Sequence, residues 1–326
     1  MRLVMMGTGT FAEPALEAIL ASAHQVVGLV TQPDRVIGQE RGSTRQVGRG
    51  LKAMAQERGI PVLQPESINT PEGVAGLQAW KPDLLVVAAY GQILSKDVLA
   101  VPPLGGINIH ASLLPKYRGA APVAWAIYHG EEQTGVTIIK MSVYLDAGDM
   151  LTQEAVEIGP EETAGELESR LAKLGGRLAI QVIEQIAARK AQGLKQDTAQ
   201  ATRAPKLSKE HGLIDWSRHG RDVRNQIRAM QPWPTAYTYW HRQGQQPIRL
   251  IIHKAGWEEN HAQGSVSPGQ VNPRSQDPGR LFIAAGSGTN VEILELQPAG
   301  KKRMLAAEFL RGHRPQPGDR FGPETP

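Results

Sequence analysis

The chain of 326 residues carries 36 lysines and arginines against 32 aspartates and glutamates, a formal net charge of +4, and is 40% hydrophobic. Such a length implies two domains, and such an apolar content builds real cores and excludes a disordered chain. The absence of cysteine excludes disulfides, thiolate nucleophiles, zinc–thiolate sites and iron–sulfur ligation.

The chain enters strand-like sequence at once, through Met1-Arg2-Leu3-Val4-Met5-Met6-Gly7, so no signal segment is expected. No apolar run approaches the roughly 20 residues that span a bilayer. A soluble, cytoplasmic, monomeric protein without membrane partners is the expectation. Residues 2–6, 26–31, 83–89 and 107–110 are short, apolar and partly β-branched, as buried strands are. Between them, residues 12–21, 51–58 and 123–128 read as helices. This alternation predicts an α/β domain, a doubly wound, mostly parallel sheet of Rossmann-like type. Further strands are expected at 136–141 and 150–156, with a turn around 146–149. A long helix from about 163 to 190 would start at Thr163, with Glu166 three residues on.

The composition changes after residue 190. Residues 191–205, rich in Gln, Ala and Thr without a clear period, read as a linker. Residues 206–326 hold a helix at 222–230, the turn Gln231-Pro232-Trp233-Pro234, and strands at 248–253, 280–285 and 291–296. Short strands separated by Gly/Pro loops predict a small, OB-like β-barrel. Charge divides along the same line. Residues 1–188 hold 15 basic and 20 acidic side chains, whereas 189–326 hold 21 and 12. One half is thereby suited to a small molecule and the other to a polyanion.

Gly7-Thr8-Gly9-Thr10-Phe11-Ala12 has the form G-x-G-x-x-A between a strand and a helix, and Asp34 follows about 20 residues on. Taken alone, this is a dinucleotide-binding fingerprint and raises a nicotinamide oxidoreductase as one reading. Any strand-to-helix turn in such a sheet also favours small residues there.

The densest chemistry lies between Gly105 and Pro122. Side chains alternate along a strand, so Asn108 and His110 share one face while Ile107 and Ile109 pack on the other. The C-terminal end of a central parallel strand is where such sheets place ligands. An amide donor beside an imidazole suits acyl transfer: the amide hydrogen-bonds a developing oxyanion, and histidine stabilises it or shuttles a proton. A buried carboxylate would orient the histidine, and the turn at 146–149 offers Asp146, or secondarily Asp149.

The run His110–Pro122, with Met6-Gly7-Thr8 and Phe11-Ala12, resembles the folate-dependent formyltransferases. Thr31-Gln32-Pro33-Asp34-Arg35, Ala89-Tyr90-Gly91-Gln92-Ile93-Leu94 and Asp146-Ala147-Gly148-Asp149-Met150-Leu151 extend the match. In the second half, Lys206-Leu207-Ser208-Lys209-Glu210, Ile214-Asp215-Trp216, the run 228–238 and the run 306–312 belong to it as well. The resemblance covers nearly the whole chain. It implies a catalytic formyltransferase domain at 1–190 and a tRNA-binding β-barrel domain at 206–326. It implies 10-formyltetrahydrofolate as formyl donor, the methionine α-amine of initiator methionyl-tRNA as acceptor, and no metal. It carries the family's catalytic Asn, His and Asp onto Asn108, His110 and Asp146. The folate site would be lined by Ser112, Leu113, Leu114 and Pro115, with Ala88, Tyr90, Gly91, Gln92 and Ile93 against the pterin. A cis Leu114–Pro115 bond is expected, to turn the chain sharply beside the ligand.

Basic residues then mark where tRNA would lie. Residues 35–58 hold six basic and two acidic side chains among several glycines, and the resemblance places the acceptor-stem loop here. Arg35, Arg41, Arg45 and Arg49 are its candidates, although this loop lacks the compact Pro-Ala-Gly-Arg-Gly-Lys-Lys type of segment usual in the family. Lys206 and Lys209, and then Lys301, Lys302 and Arg303, complete the expected contacts. A formyltransferase acting on an amino sugar nucleotide is the nearest alternative, and a folate- or RNA-binding protein without catalysis a more distant one.

Overall fold

The structure, a computed structural model, describes residues 1–34, 50–259, 266–272 and 279–325. Contacts divide the chain into two units, one of residues 1–126, 132–159 and 165–206, the other of 127–131, 160–164 and 207–326. In the first unit, β1 (Arg2–Gly7), α1 (Glu13–Leu20), β2 (Gln25–Val30), α2 (Leu51–Gln56), β3 (Val62–Leu63) and α3 (Pro71–Ala79) come in order. They are followed by β4 (Leu84–Ala88), α4 (Lys96–Ala100), β5 (Gly106–His110), β6 (Arg118–Gly119) and α5 (Pro122–Tyr128). Then come β7 (Gln133–Lys140), β8 (Met150–Glu157), the 24-residue α6 (Ala164–Ala187) and β9 (Arg203–Ala204).

Seven strands form one sheet in the order β3-β2-β1-β4-β5-β7-β8. Strands β3 to β5 are parallel, and β7 and β8 extend the sheet antiparallel. Every residue of β4 is buried, as a central strand covered on both faces requires. The register sets Gly7 of β1 beside Ala88 of β4, and Val87 beside Asn108 of β5, so the C-terminal ends of three central strands lie together. A Cβ on Gly7 would come within 2.7 Å of Ala12 Cβ and 2.9 Å of Ala88 O. The first glycine of the apparent dinucleotide fingerprint is thus required by packing of the first helical turn on the sheet. Asp34, the acidic residue of that fingerprint, is paired with Lys52 and Gln64.

Two helices that the hydrophobic pattern does not predict carry local signals of their own. Thr70 Oγ1 accepts from Gly73 N at 3.2 Å to cap α3, and Ser95 Oγ accepts from Val98 N at 3.3 Å to cap α4. Their shortness, and two glycines inside α3, obscure the helical period. The segment expected as a linker is instead an ordered part of the first unit. Met150 and Leu194 exchange both backbone hydrogen bonds at 2.8 Å, and β9 pairs in parallel with β6.

The second unit contains α7 (Gly220–Ala229), β10 (Ala236–His241), β11 (Ile248–Glu259), β12 (Leu281–Ala285), β13 (Thr289–Pro298), β14 (Met304–Leu305), α8 (Ala306–Gly312) and β15 (Arg320–Gly322). Its antiparallel sheet runs β12-β13-β11-β10-β15, with β14 on β13. Bridges from Gln270 to Arg320 and from Val271 to Ile283 join the two outer strands and nearly close a barrel. Trp240, Phe282, Phe309 and Phe321 are fully buried in this unit, with the Trp240 and Phe321 rings stacked at 6.4 Å. Strand β10, which is not among the expected strands, alternates buried and half-buried residues behind the proline-rich turn that hides it. Among the described residues no helix is long and apolar enough to cross a membrane.

Burial raises the Glu168 carboxyl, on α6, from 4.5 to about 7. The folded chain therefore binds a proton more tightly than the unfolded one, and stability falls as pH rises from about 4.5 to about 7. Glu168→Gln should unfold at a higher temperature than wild type above that range and at the same temperature below it, measured by thermal melts across pH.

Candidate active site

Asn108 and His110 point from the same face of β5, as strand alternation predicts, and Asp146 approaches them from the loop between β7 and β8. Asn108 Nδ2 donates to Asp146 Oδ1 at 3.3 Å. His110 Nδ1 lies 3.6 Å from Asp146 Oδ2, and both side chains are almost fully buried, at 5% and 8% exposure. The other ring nitrogen, Nε2, is 2.9 Å from the carbonyl oxygen of Tyr117. A carbonyl only accepts, so Nε2 carries the hydrogen and Nδ1 is the ring atom that faces Asp146. Expectation and structure differ in one respect. The imidazole is oriented by the Tyr117 carbonyl, while the Asp146 carboxylate is held by the backbone N–H of Gly119 at 2.8 Å.

The turn that supplies these two backbone groups is tightly constrained. Tyr117 has φ +62° and Gly119 φ +130°. A Cβ on Gly119 would lie 2.4 Å from Ala204 O, so glycine alone permits the pairing of β6 with β9. Across the sheet, His110, Thr137 and Gln153 lie side by side on β5, β7 and β8. Thr137 Oγ1 is a buried hub: it donates to Ser112 O at 2.6 Å and accepts from Leu114 N at 3.2 Å and Gln153 Nε2 at 2.8 Å. Gln153 Nε2 also donates to Leu114 O at 3.0 Å. These bonds fix the segment 112–115, whose Leu114–Pro115 bond is cis.

Ser112 and Leu114 are buried, and Ser112 Oγ donates to Lys116 O at 2.7 Å. Leu113 and Pro115 remain half-buried. On the neighbouring strand end, Ala88 and Tyr90 are buried, whereas Gly91 and Ile93 are exposed, Ile93 at 64%. The chain turns here through Ala89 at φ +47° and Gly91 at φ +82°. Gln92 anchors the loop by accepting from Ile68 N at 2.9 Å and donating to Glu66 O at 3.2 Å. Burial alone raises the Tyr90 hydroxyl to about 12.

Arg35, Arg41, Arg45 and Arg49 lie outside the described residues. Lys206 and Lys209 are exposed, as are Lys301 and Lys302 in the turn between β13 and β14, while Arg303 is ion-paired with Glu295. Sequence reasoning missed Tyr117, Gly119, Thr137, Gln153, Gln196 and Thr202 around the site. Gly119 stands inside the 105–122 run, where a turn glycine is a usable signal. The others act through a backbone carbonyl, threonine hydroxyls or glutamine amides whose partners lie elsewhere in the chain, which leaves no pattern in sequence.

A sequence profile described as Formyl transferase matches residues 1–183, and one described as Formyl transferase, C-terminal domain, matches 206–314. The chain therefore belongs to the formyltransferase family. Within it, the methionyl-tRNA formyltransferase of Citrifermentans bemidjiense is 42% identical over 99% of this chain and 96% of its own length. That of Bacillus velezensis is 41% identical over 98% of each chain. Among solved structures, a sugar 3N-formyl transferase determined with dTDP and 5-N-formyl-THF superimposes with a TM-score of 0.65 at 18% identity, covering 93% of this chain and 99% of its own. An N-formyltransferase from Helicobacter canadensis, in complex with folinic acid and dTDP-3-aminofucose, gives 0.64 at 18%, covering 89% and 98%. At that identity the two solved structures establish the fold.

Thr137→Val keeps the shape but strands the Ser112 carbonyl and the Leu114 amide, both held by Thr137 Oγ1. Chemical denaturation should show a loss of about 1–3 kcal/mol in stability.

Proposed function

We propose that the chain transfers the formyl group of 10-formyltetrahydrofolate to the α-amine of methionine on initiator methionyl-tRNA, giving N-formylmethionyl-tRNA for translation initiation. The observation that carries the chemistry is the convergence of Asn108 Nδ2, His110 Nδ1 and the Asp146 carboxylate at the C-terminal end of β5. The acceptor is argued from the relatives. Those sharing about two-fifths of the sequence over nearly the full length bear the methionyl-tRNA name, whereas the sugar enzymes share 18%.

In the proposed reaction the amine lone pair attacks the formyl carbon, and the carbonyl electrons move to oxygen. The resulting oxyanion is met by the Asn108 amide and by Nδ1–H of His110, whose charge the Asp146 carboxylate balances. Collapse breaks the bond from carbon to N10 of the folate. N10 takes the Nδ1 proton as it leaves, and the proton lost by the amine returns to Nδ1. Because Nε2 stays bonded to Tyr117, one nitrogen orients the ring while the other handles protons. The donor would lie along segments 88–93 and 112–115. Lys206, Lys209, Lys301 and Lys302, with the arginines of 35–49, would meet the tRNA backbone.

Incubation with 10-formyltetrahydrofolate and methionyl initiator tRNA should give N-formylmethionine. Formylation of an amino sugar nucleotide instead would overturn the reading. His110→Ala should lower kcat by about two orders of magnitude or more with tRNA affinity unchanged, measured by formylation kinetics and filter binding. Lys301→Gln with Lys302→Gln should weaken tRNA binding and reduce its salt slope by about 1 for each phosphate left without its lysine.

A further inference from the structure

Two residues flanking the candidate site, Tyr117 and Asp146, hold left-handed backbone conformations at φ +62° and +48°. For residues other than glycine this conformation is strained and persists only when the surroundings hold it. Both are held by the same stretch of chain, 196–204, which lies outside every catalytic motif. Gln196 Nε2 donates to Asp146 O and to Gly148 O, both at 2.8 Å. Its Oε1 accepts from Arg118 Nε at 3.1 Å and Nη2 at 2.7 Å. Both N–H groups and the carbonyl oxygen of this one amide are therefore engaged, and they tie the Asp146 loop to the turn 117–119. Six residues on, Thr202 Oγ1 accepts from Tyr117 N and Thr202 O accepts from Arg118 N, each at 2.8 Å. Ala204 O then takes Ala120 N at 2.8 Å.

The consequences meet at the reacting atoms. Tyr117 presents the carbonyl that orients His110, and Gly119 presents the N–H that holds Asp146. A shift of the turn against the Asp146 loop would alter the 3.6 Å separation of His110 Nδ1 from Asp146 Oδ2. We propose that Gln196 and Thr202 are positioning residues for formyl transfer, setting the His110–Asp146 geometry from the segment that leads into the second unit. This rests on the proposed function, and neither residue touches the reacting groups. Glutamate is no substitute at 196. It would keep the Arg118 contact but turn an acceptor oxygen onto two carbonyls.

The test is steady-state formylation of methionyl initiator tRNA by wild type, Gln196→Ala, Gln196→Glu and Thr202→Val. Both Gln196 variants should lose about 10–100-fold in kcat, with KM for tRNA and for the donor changed less than about twofold. Thr202→Val, which removes one acceptor, should lose about 3–10-fold in kcat with the same unchanged KM values. In an Asp146→Asn background, the Gln196→Ala step should cost less than about twofold, because a positioning effect vanishes once its target is altered. A merely structural role would lower activity by the same factor in both backgrounds. Wild-type kcat in Gln196→Ala, or a full multiplicative loss in the double variant, would overturn the proposal. Should Gln196→Ala not fold, Thr202→Val decides: a kcat-only loss supports it and wild-type kcat overturns it. An inactive wild type would instead refute the functional reading.

Discussion

A carboxylate inside a folded chain costs several kcal/mol unless donors replace the water around it, and the first unit is organised around meeting that cost for Asp146. Its donors come from two directions, the Asn108 side chain on β5 and the Gly119 amide in the turn beyond it, with His110 Nδ1 facing the same oxygen as Gly119. Placing the Gly119 amide there forces the chain through a left-handed residue at Tyr117. It also brings the backbone of Gly119 so near Ala204 that no side chain fits. The Thr137 hub holds the segment that leads into this turn, and the β6–β9 pair holds its far side.

This arrangement separates two tasks that one imidazole must otherwise share. The Tyr117 carbonyl fixes the ring through Nε2, so in the proposed reaction Nδ1 is left for the reacting groups without the ring being free to rotate. The carboxylate beside Nδ1 is itself anchored to backbone, so the charge that would accumulate on the imidazole has a preformed partner. Preorganisation of this kind depends on backbone groups, and so on everything that fixes the turn. That is why a segment of ordinary composition, 196–204, bears on the site.

Much of the scaffold was legible because local pattern and burial agree. Leu3–Met6 and Leu84–Ala88 are uniformly apolar because central parallel strands are covered on both faces, and they emerge within β1 and β4, while 107–110 emerges within β5 with Ile107 and Ile109 buried. Asn108 and His110 were readable as a pair because strand alternation has a period of two. The carboxylate was readable only as a choice between Asp146 and Asp149, and the loop geometry brings Asp146 to the histidine. Short helices such as α3 and α4 were missed because a single turn or two leaves too few residues for a period. The apparent dinucleotide fingerprint is unspecific for a physical reason: Gly7 answers to the close approach of Ala12 and Ala88, a constraint that a nucleotide site and a bare packing contact share.

The sequence by itself determined the α/β order of the first half, the β-rich character of the second, the resemblance to the family, and the Asn108–His110 pair on β5 with a carboxylate to come from the turn at 146–149. It could do so because apolar periodicity and functional-group type are properties of residues in a row. What oriented those side chains was decided only in three dimensions. A backbone carbonyl at Tyr117, a backbone amide at Gly119 and the Gln196 amide lie far apart along the chain or carry no distinguishing side chain. Their role exists only once folding closes the distance between them.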